Sequence, residues 1–161
     1  MRGGPKRAGR YHRRAMRVRP SLAVLAAAAL ALAGCGPAGT WVDDAGNWRR
    51  AFASDRPGDV EVVHSKYWRS PHFTREFQYF FHLRRNDAFR RRLFAENRLV
   101  RREGEAASKA ASDFFGEKPG WFLPGEGREY EVWVLEGEPD RHFRLFIDGA
   151  TGDLFLTDWC A

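Results

Sequence analysis

The chain has 161 residues, 43% of them hydrophobic and 14% aromatic, with a formal net charge of +6. So many apolar and aromatic residues exclude a disordered tether, and only two cysteines exclude a disulfide scaffold. The positive charge carries no nucleic-acid reading: eight of the 27 basic residues precede Cys35 and all 21 acidic ones follow it, so residues 35–161 are net −2.

The chain opens with a basic stretch (Arg13, Arg14, Arg17, Arg19) and a charge-free apolar run of 12 residues, Leu22 to Ala33. As a helix that run is about 18 Å long, too short for a bilayer core of about 30 Å. It reads as the apolar region of a secretory signal, with Met16 as an alternative start. The residues around Arg13-Arg14 do not fit a twin-arginine signal.

The leader closes on Leu32-Ala33-Gly34-Cys35. This ending resembles the lipobox of bacterial lipoproteins: an aliphatic residue, two small residues, then cysteine. The resemblance covers residues 16–35. It implies cleavage before Cys35 and a diacylglyceryl group on its thiol, commonly with a further acyl chain on its amine. Gly36 stands where Asp often marks inner-membrane retention, so the resemblance implies the outer membrane, facing the periplasm, in a cell with two membranes. An ordinary signal peptide with an incidental cysteine is the alternative. The expected organisation is a signal peptide over 1–34, a lipidated cysteine and tether over 35–40, and one globular domain over 41–161. Cys160 then has no cysteine partner within the chain.

Trp41, Ala45, Trp48 and Phe52 fall on one face of a short helix, weakened by Gly46. Arg56-Pro57-Gly58-Asp59 is a turn. Val60 to Trp68 is rich in β-branched and aromatic residues and reads as a strand. Phe73 to Leu83 fits a strand by alternation. It also fits a helix face through Phe73, Phe77, Phe80 and Phe81, but its aromatic density favours the strand. Asn86 caps a helix running to about Val100 with Phe89, Leu93 and Val100 inward. Residues 103–113 are an Ala-rich, weakly packed helix, followed by a Gly/Pro-rich loop over 116–127. Glu129 to Leu135, Arg141 to Ile147 and Leu154 to Trp159 are three strands of an antiparallel meander. The fold class is therefore α+β: an antiparallel sheet of about five strands with two or three helices packed on one face.

Candidate chemistry is sparse. His64, His72, His82 and His142 follow Cys35. On one strand His72 and His82 would lie about 33 Å apart and could not share a metal, whose ligand atoms must sit at about 2.0–2.2 Å. His72 and Glu76 would meet only on a helix, giving two ligands at most, so no metal and no cofactor is expected. Ser65 beside His64 and Ser70 near His72 invite a nucleophile reading. Strand neighbours point to opposite faces, however, and no GxSxG elbow is present. Asp148-Gly-Ala-Thr-Gly-Asp153 lacks oxygen ligands at its third and fifth positions, so it reads as a hairpin turn rather than a calcium loop.

Residues 84–102 hold eight arginines against Asp87 and Glu96. Arg90, Arg91, Arg92 and Arg98 are the candidate contacts to an anionic membrane surface or an acidic envelope polymer. The alternative is a solvated helix face paired with acids elsewhere. Trp121-Phe122 in the loop either docks a partner or folds back into the core.

The resulting expectation is a lipid-anchored cell-envelope protein that binds or scaffolds without catalysis, whose partners are the membrane and an envelope protein or acidic polymer, not nucleic acid. The alternatives are a small hydrolase using a histidine and a carboxylate from the 64–82 region, or a lipoprotein that binds an apolar ligand. The hydrolase needs a nucleophile in the same cleft. The ligand binder needs an aromatic-lined cavity of several hundred Å³.

Overall fold

The computed structural model describes residues 38–71, 76–124, 128–137 and 142–160. Cys35, Gly36 and His72 lie outside the described residues. In chain order the elements are β1 (Gly39–Val42), α1 (Asn47–Phe52), β2 (Val62–Arg69), β3 (Phe77–Leu83), α2 (Asp87–Glu96), β4 (Leu99–Arg102), α3 (Gly104–Ser112), β5 (Tyr130–Leu135), β6 (Arg144–Asp148) and β7 (Leu154–Cys160). The strands form one antiparallel sheet of seven, in the order β1-β2-β3-β7-β6-β5-β4.

The fold is α+β as expected, but the sheet has seven strands rather than five. The two additional strands are the edges. Trp41 lies in β1 and not on a helix, because the chain reverses at Asp43 (φ 50°). Asp43 Oδ1 accepts the Ser65 N–H at 2.8 Å and Asp44 Oδ1 accepts that of Gly46 at 2.8 Å, which ties the reversal to β2 and starts α1. α2 stops at Glu96, where the Asn97 side chain donates to Leu93 O at 2.9 Å. The next residues then leave as β4, with Leu99 and Val100 opposite Leu135 and Val134. Val100 is therefore a strand residue. At the other end of α2, Asn86 accepts the Phe89 N–H at 2.8 Å, a cap that contributes about 1 kcal/mol.

The helices do not share one face. Strand alternation sends Tyr67, Tyr79, Phe81, Leu83, Leu145, Ile147, Leu154 and Leu156 to one side, where Trp48 of α1 and Phe89 and Leu93 of α2 meet them. Phe80, Val132, Phe146 and Phe155 point to the other side, where Ala110 of α3 and Phe122 of the following loop cover them. The central strands β6 and β7 are therefore apolar on both faces, which is why their composition does not alternate.

Phe122 is fully buried and makes edge-on ring contacts with Phe80 (4.9 Å), Phe155 (5.7 Å), Phe114 (5.9 Å) and Phe146 (5.9 Å). Such pairs add about 0.5–1.5 kcal/mol each beyond area burial. This half of the loop pair plugs the core. Arg144, 8% exposed, holds the end of α3: its guanidinium donates to the carbonyls of Ala110 and Asp113 and lies 4.3 Å over the Trp159 ring.

Candidate functional site

The α3 side of the sheet carries the polar groups that the strands bring together. On β2 these are His64, Lys66 and Trp68; on β3 they are Gln78 and His82. His64 and His82 are direct cross-strand partners with ring centroids 6.3 Å apart. His64 Nδ1 lies 3.3 Å from Asp43 Oδ2, and its ring stacks on Trp121 at 5.3 Å. His82 Nε2 lies 3.0 Å from Asp153 Oδ2, and its ring stacks on Phe155 at 4.4 Å. Asp153 also accepts the Arg85 N–H at 3.0 Å. Ser65 is turned to the opposite face, where its hydroxyl accepts from Asn47 Nδ2 at 3.0 Å, so it does not join the histidines. His142 is remote from the pair in the sheet and stacks on Trp159 at 4.6 Å. Among the described residues no group of three or more His, Cys, Asp and Glu side chains could hold a metal ion.

Beyond the histidines, toward β1, the same face opens into a cleft of about 510 Å³. Its apolar walls are Trp68, Phe80 and Phe115, and Thr40, Lys66 and Gln78 supply its polar groups. Lys66 Nζ donates to Glu117 O at 3.1 Å, which ties the loop after α3 across the cleft. Gln78 is 2% exposed. Its Oε1 accepts the Gly116 N–H at 2.5 Å, and its Nε2 has no hydrogen-bond partner among the described residues. The approach depends on glycine: a Cβ at Gly116 would come within 2.9 Å of Gln78 Oε1. None of Lys66, Gln78 and Phe115 stands out in the sequence. The one available signal is a glutamine inside the aromatic run Phe77 to Phe81.

A second cavity, about 360 Å³, lies on the other face between α1 and α2. Trp48, Phe52, Phe89 and Phe143 line it, and Trp48 Nε1 is buried without a partner among the described residues.

The arginines lie along α2 and β4. Arg90 is 3.4 Å from Glu131, Arg92 is 3.2 Å from Asp59 and Arg98 is 2.7 Å from Glu136. Arg91 is exposed. The carboxylates come from distant parts of the chain and were invisible as partners in the local sequence. The 148–153 segment is a hairpin turn. Asp148 Oδ1 accepts the N–H groups of Ala150 (2.8 Å) and Thr151 (3.2 Å), and Gly152 takes the left-handed φ of 74°.

Among the described residues no helix is long and apolar enough to cross a membrane. Compared with protein-family models, curated proteins and solved structures, the chain matches none.

Proposed function

We propose that the chain is a lipoprotein of the cell envelope, held to the membrane through Cys35, whose folded part binds a small, largely apolar ligand without transforming it. The cleft carries this reading. A volume of about 510 Å³ walled by three aromatic side chains falls in the range of small-molecule sites, about 300–1,000 Å³. A pure scaffold has no use for such a space. The anchor rests on Leu32-Ala33-Gly34-Cys35, and Gly36 favours the outer membrane, facing the periplasm, where there are two membranes. A hydrolase would need a nucleophile in reach of its base. The ring contacts of His64 and His82 run to carboxylates, and Ser65 faces away.

Two measurements test this reading. Cys35→Ala should leave the protein unprocessed or released from the membrane fraction; if it still partitions into detergent at the mature mass, the anchor is elsewhere. Nile red, a neutral apolar dye, should brighten and shift to the blue on binding, and Trp68→Arg should remove most of that signal. No signal, or an equal one in Trp68→Arg, overturns the cleft as the binding site.

A further inference from the structure

We infer that β1 is a contact between two copies of this chain, pairing antiparallel with β1 of the second copy about a two-fold axis. This goes beyond the cleft reading above and depends on neither the anchor nor a ligand.

β1 ends the sheet, and among the described residues nothing pairs with its outer side. Asp43 N–H donates to Ser65 O at 2.7 Å, so Asp43 and Ser65 are a hydrogen-bonded pair that continues the β1–β2 register. Bonded and non-bonded pairs alternate along an antiparallel ladder. Gly39 and Trp41 therefore direct their backbone groups to β2, while Thr40 and Val42 turn both N–H and C=O outward. Their side chains stand on the cleft side, next to Trp68 and Lys66. Val42 is 59% exposed, and Phe115, which packs on Trp68, is 46% exposed. These are the exposed large apolar side chains among the described residues, and both lie within one strand of this edge.

The opposite edge is built differently. Glu136 N–H donates to Arg98 O at 3.0 Å, so the same alternation turns Leu99 and Arg101 outward on β4. Leu99 N–H is already taken by Asn97 O at 3.0 Å, and Arg101 and Arg102 are exposed charges. Two β4 edges would repel each other, whereas β1 is Gly-Thr-Trp-Val and carries no charge.

β1 also fits its own copy. Opposed residues of an antiparallel pair share a face, and both outward residues are used when Thr40 pairs with Val42 of the second copy. Each such pair exchanges both backbone bonds, and the two-fold axis repeats it. This register sets Trp41 opposite Trp41 of the second copy, Cα atoms about 4.5 Å apart, as an aromatic cross-strand pair on the α1 side. It also sets Gly39 opposite Asp43 of the second copy. Arg69 stands beside Gly39 on β2, so each arginine lies about 10 Å, two strand spacings, from the other copy's Asp43-Asp44 turn. Opposite charges thus meet at both ends of the contact. With four residues on each side, the contact belongs to the small, transient class.

The test is sedimentation of the full chain in non-ionic detergent. The protein should be monomeric at about 1 µM and gain dimer toward about 100 µM. Val42→Pro removes an outward N–H and spares the β2 ladder, so it should weaken association about tenfold or more. Arg101→Pro makes the same backbone change at the outer side of β4 and should leave association unchanged. Register is read by mixing Thr40→Cys with Val42→Cys under mild oxidation. Mass spectrometry should find a 40–42 disulfide between chains, since Cα atoms of a bonded pair lie about 5.5 Å apart, within disulfide reach. A monomer at every concentration overturns the inference. So does a dimer that Val42→Pro leaves intact, or one that Arg101→Pro weakens equally. Disulfides joining 40 to 40 or 42 to 42, without a 40–42 product, overturn the pairing as described. If Val42→Pro fails to fold, the 40–42 disulfide decides alone.

Discussion

His82 and Asp153 join the two halves of the sheet: the end of β3 and the residue that leads into β7 meet through a contact of 3.0 Å between Nε2 and Oδ2. The same carboxylate accepts the Arg85 N–H as the chain leaves β3 and lies 3.4 Å from the Arg84 guanidinium, so one 7%-exposed aspartate serves two side chains and a backbone donor. With His64 opposite His82 and Trp121 over His64, the polar contacts lie in a row along a face that is otherwise aromatic.

Asp153→Ala should therefore cost about 1–2 kcal/mol, because it removes the acceptor of the partly buried Arg85 N–H and frees the His82 ring and the Arg84 guanidinium together. Urea unfolding measures it. A loss below about 0.5 kcal/mol would mean that water replaces the carboxylate without penalty.

Arg144 offers a different comparison. Arg144→Met keeps most of the apolar stem but abandons the carbonyls of Ala110 and Asp113, and should cost about 2–3 kcal/mol. Arg144→Lys should recover little of this, since one ammonium does not reproduce a planar fork that also stacks on Trp159. Full recovery by lysine would show that charge alone is needed at the end of α3.

A pH effect follows from Asp148. Burial pushes its carboxyl up, but the N–H groups of Ala150 and Thr151, with Arg128 2.9 Å away, outweigh that and hold it below the usual range. A carboxyl lowered in the folded state contributes stability in full above its unfolded value of about 3.9, and that contribution is lost as the pH falls through the folded value. Asp148→Asn should lower stability at neutral pH and flatten the decline seen below about pH 4. Identical acid profiles for the two proteins would remove Asp148 as a contributor.

The arginines of α2 should matter only in dilute salt. Residues 38–161 should bind anionic vesicles at about 0.01 M salt, where the Debye length is about 30 Å, and not at about 0.15 M, where it is about 8 Å. The motive is the pairing of Arg90, Arg92 and Arg98 with carboxylates, which leaves little charge uncommitted. Changing Arg90, Arg91 and Arg92 to Gln should abolish the low-salt binding. Persistence at 0.15 M, or equal binding to neutral vesicles, would contradict this.

The strands that the sequence announces are the interior ones. β2, β3, β5, β6 and β7 are built from β-branched and aromatic residues, and that composition survives whatever register they adopt. β1 and β4 have four residues each, Gly-Thr-Trp-Val and Leu-Val-Arg-Arg, too short and too mixed to show a period. Only pairing with β2 and β5 makes them strands. The division of helices between faces was hidden for a related reason. α3 is Ala-rich and small, and its side is set by Phe80, Phe146 and Phe155 pointing away from α1 and α2. The cleft was least legible, because Trp68, Gln78 and Phe115 come from three separate elements that local sequence does not relate. The turn at 148–153 and the cap at Asn86 are readable because the hydrogen bonds that define them, Asp148 Oδ1 with the N–H groups of Ala150 and Thr151 and Asn86 Oδ1 with that of Phe89, span two or three residues.

The centre of the sheet is the pairing of β3 with β7, which joins Phe77–Leu83 to Leu154–Cys160. Neither half of the sheet can close against the other until synthesis has passed residue 160. A chain whose central hydrogen bonds form last stays open at its middle throughout elongation. The same order of events leaves the inner edge of β3, with its row of backbone donors and acceptors, unpaired until then, an open edge on which a second chain could pair during synthesis.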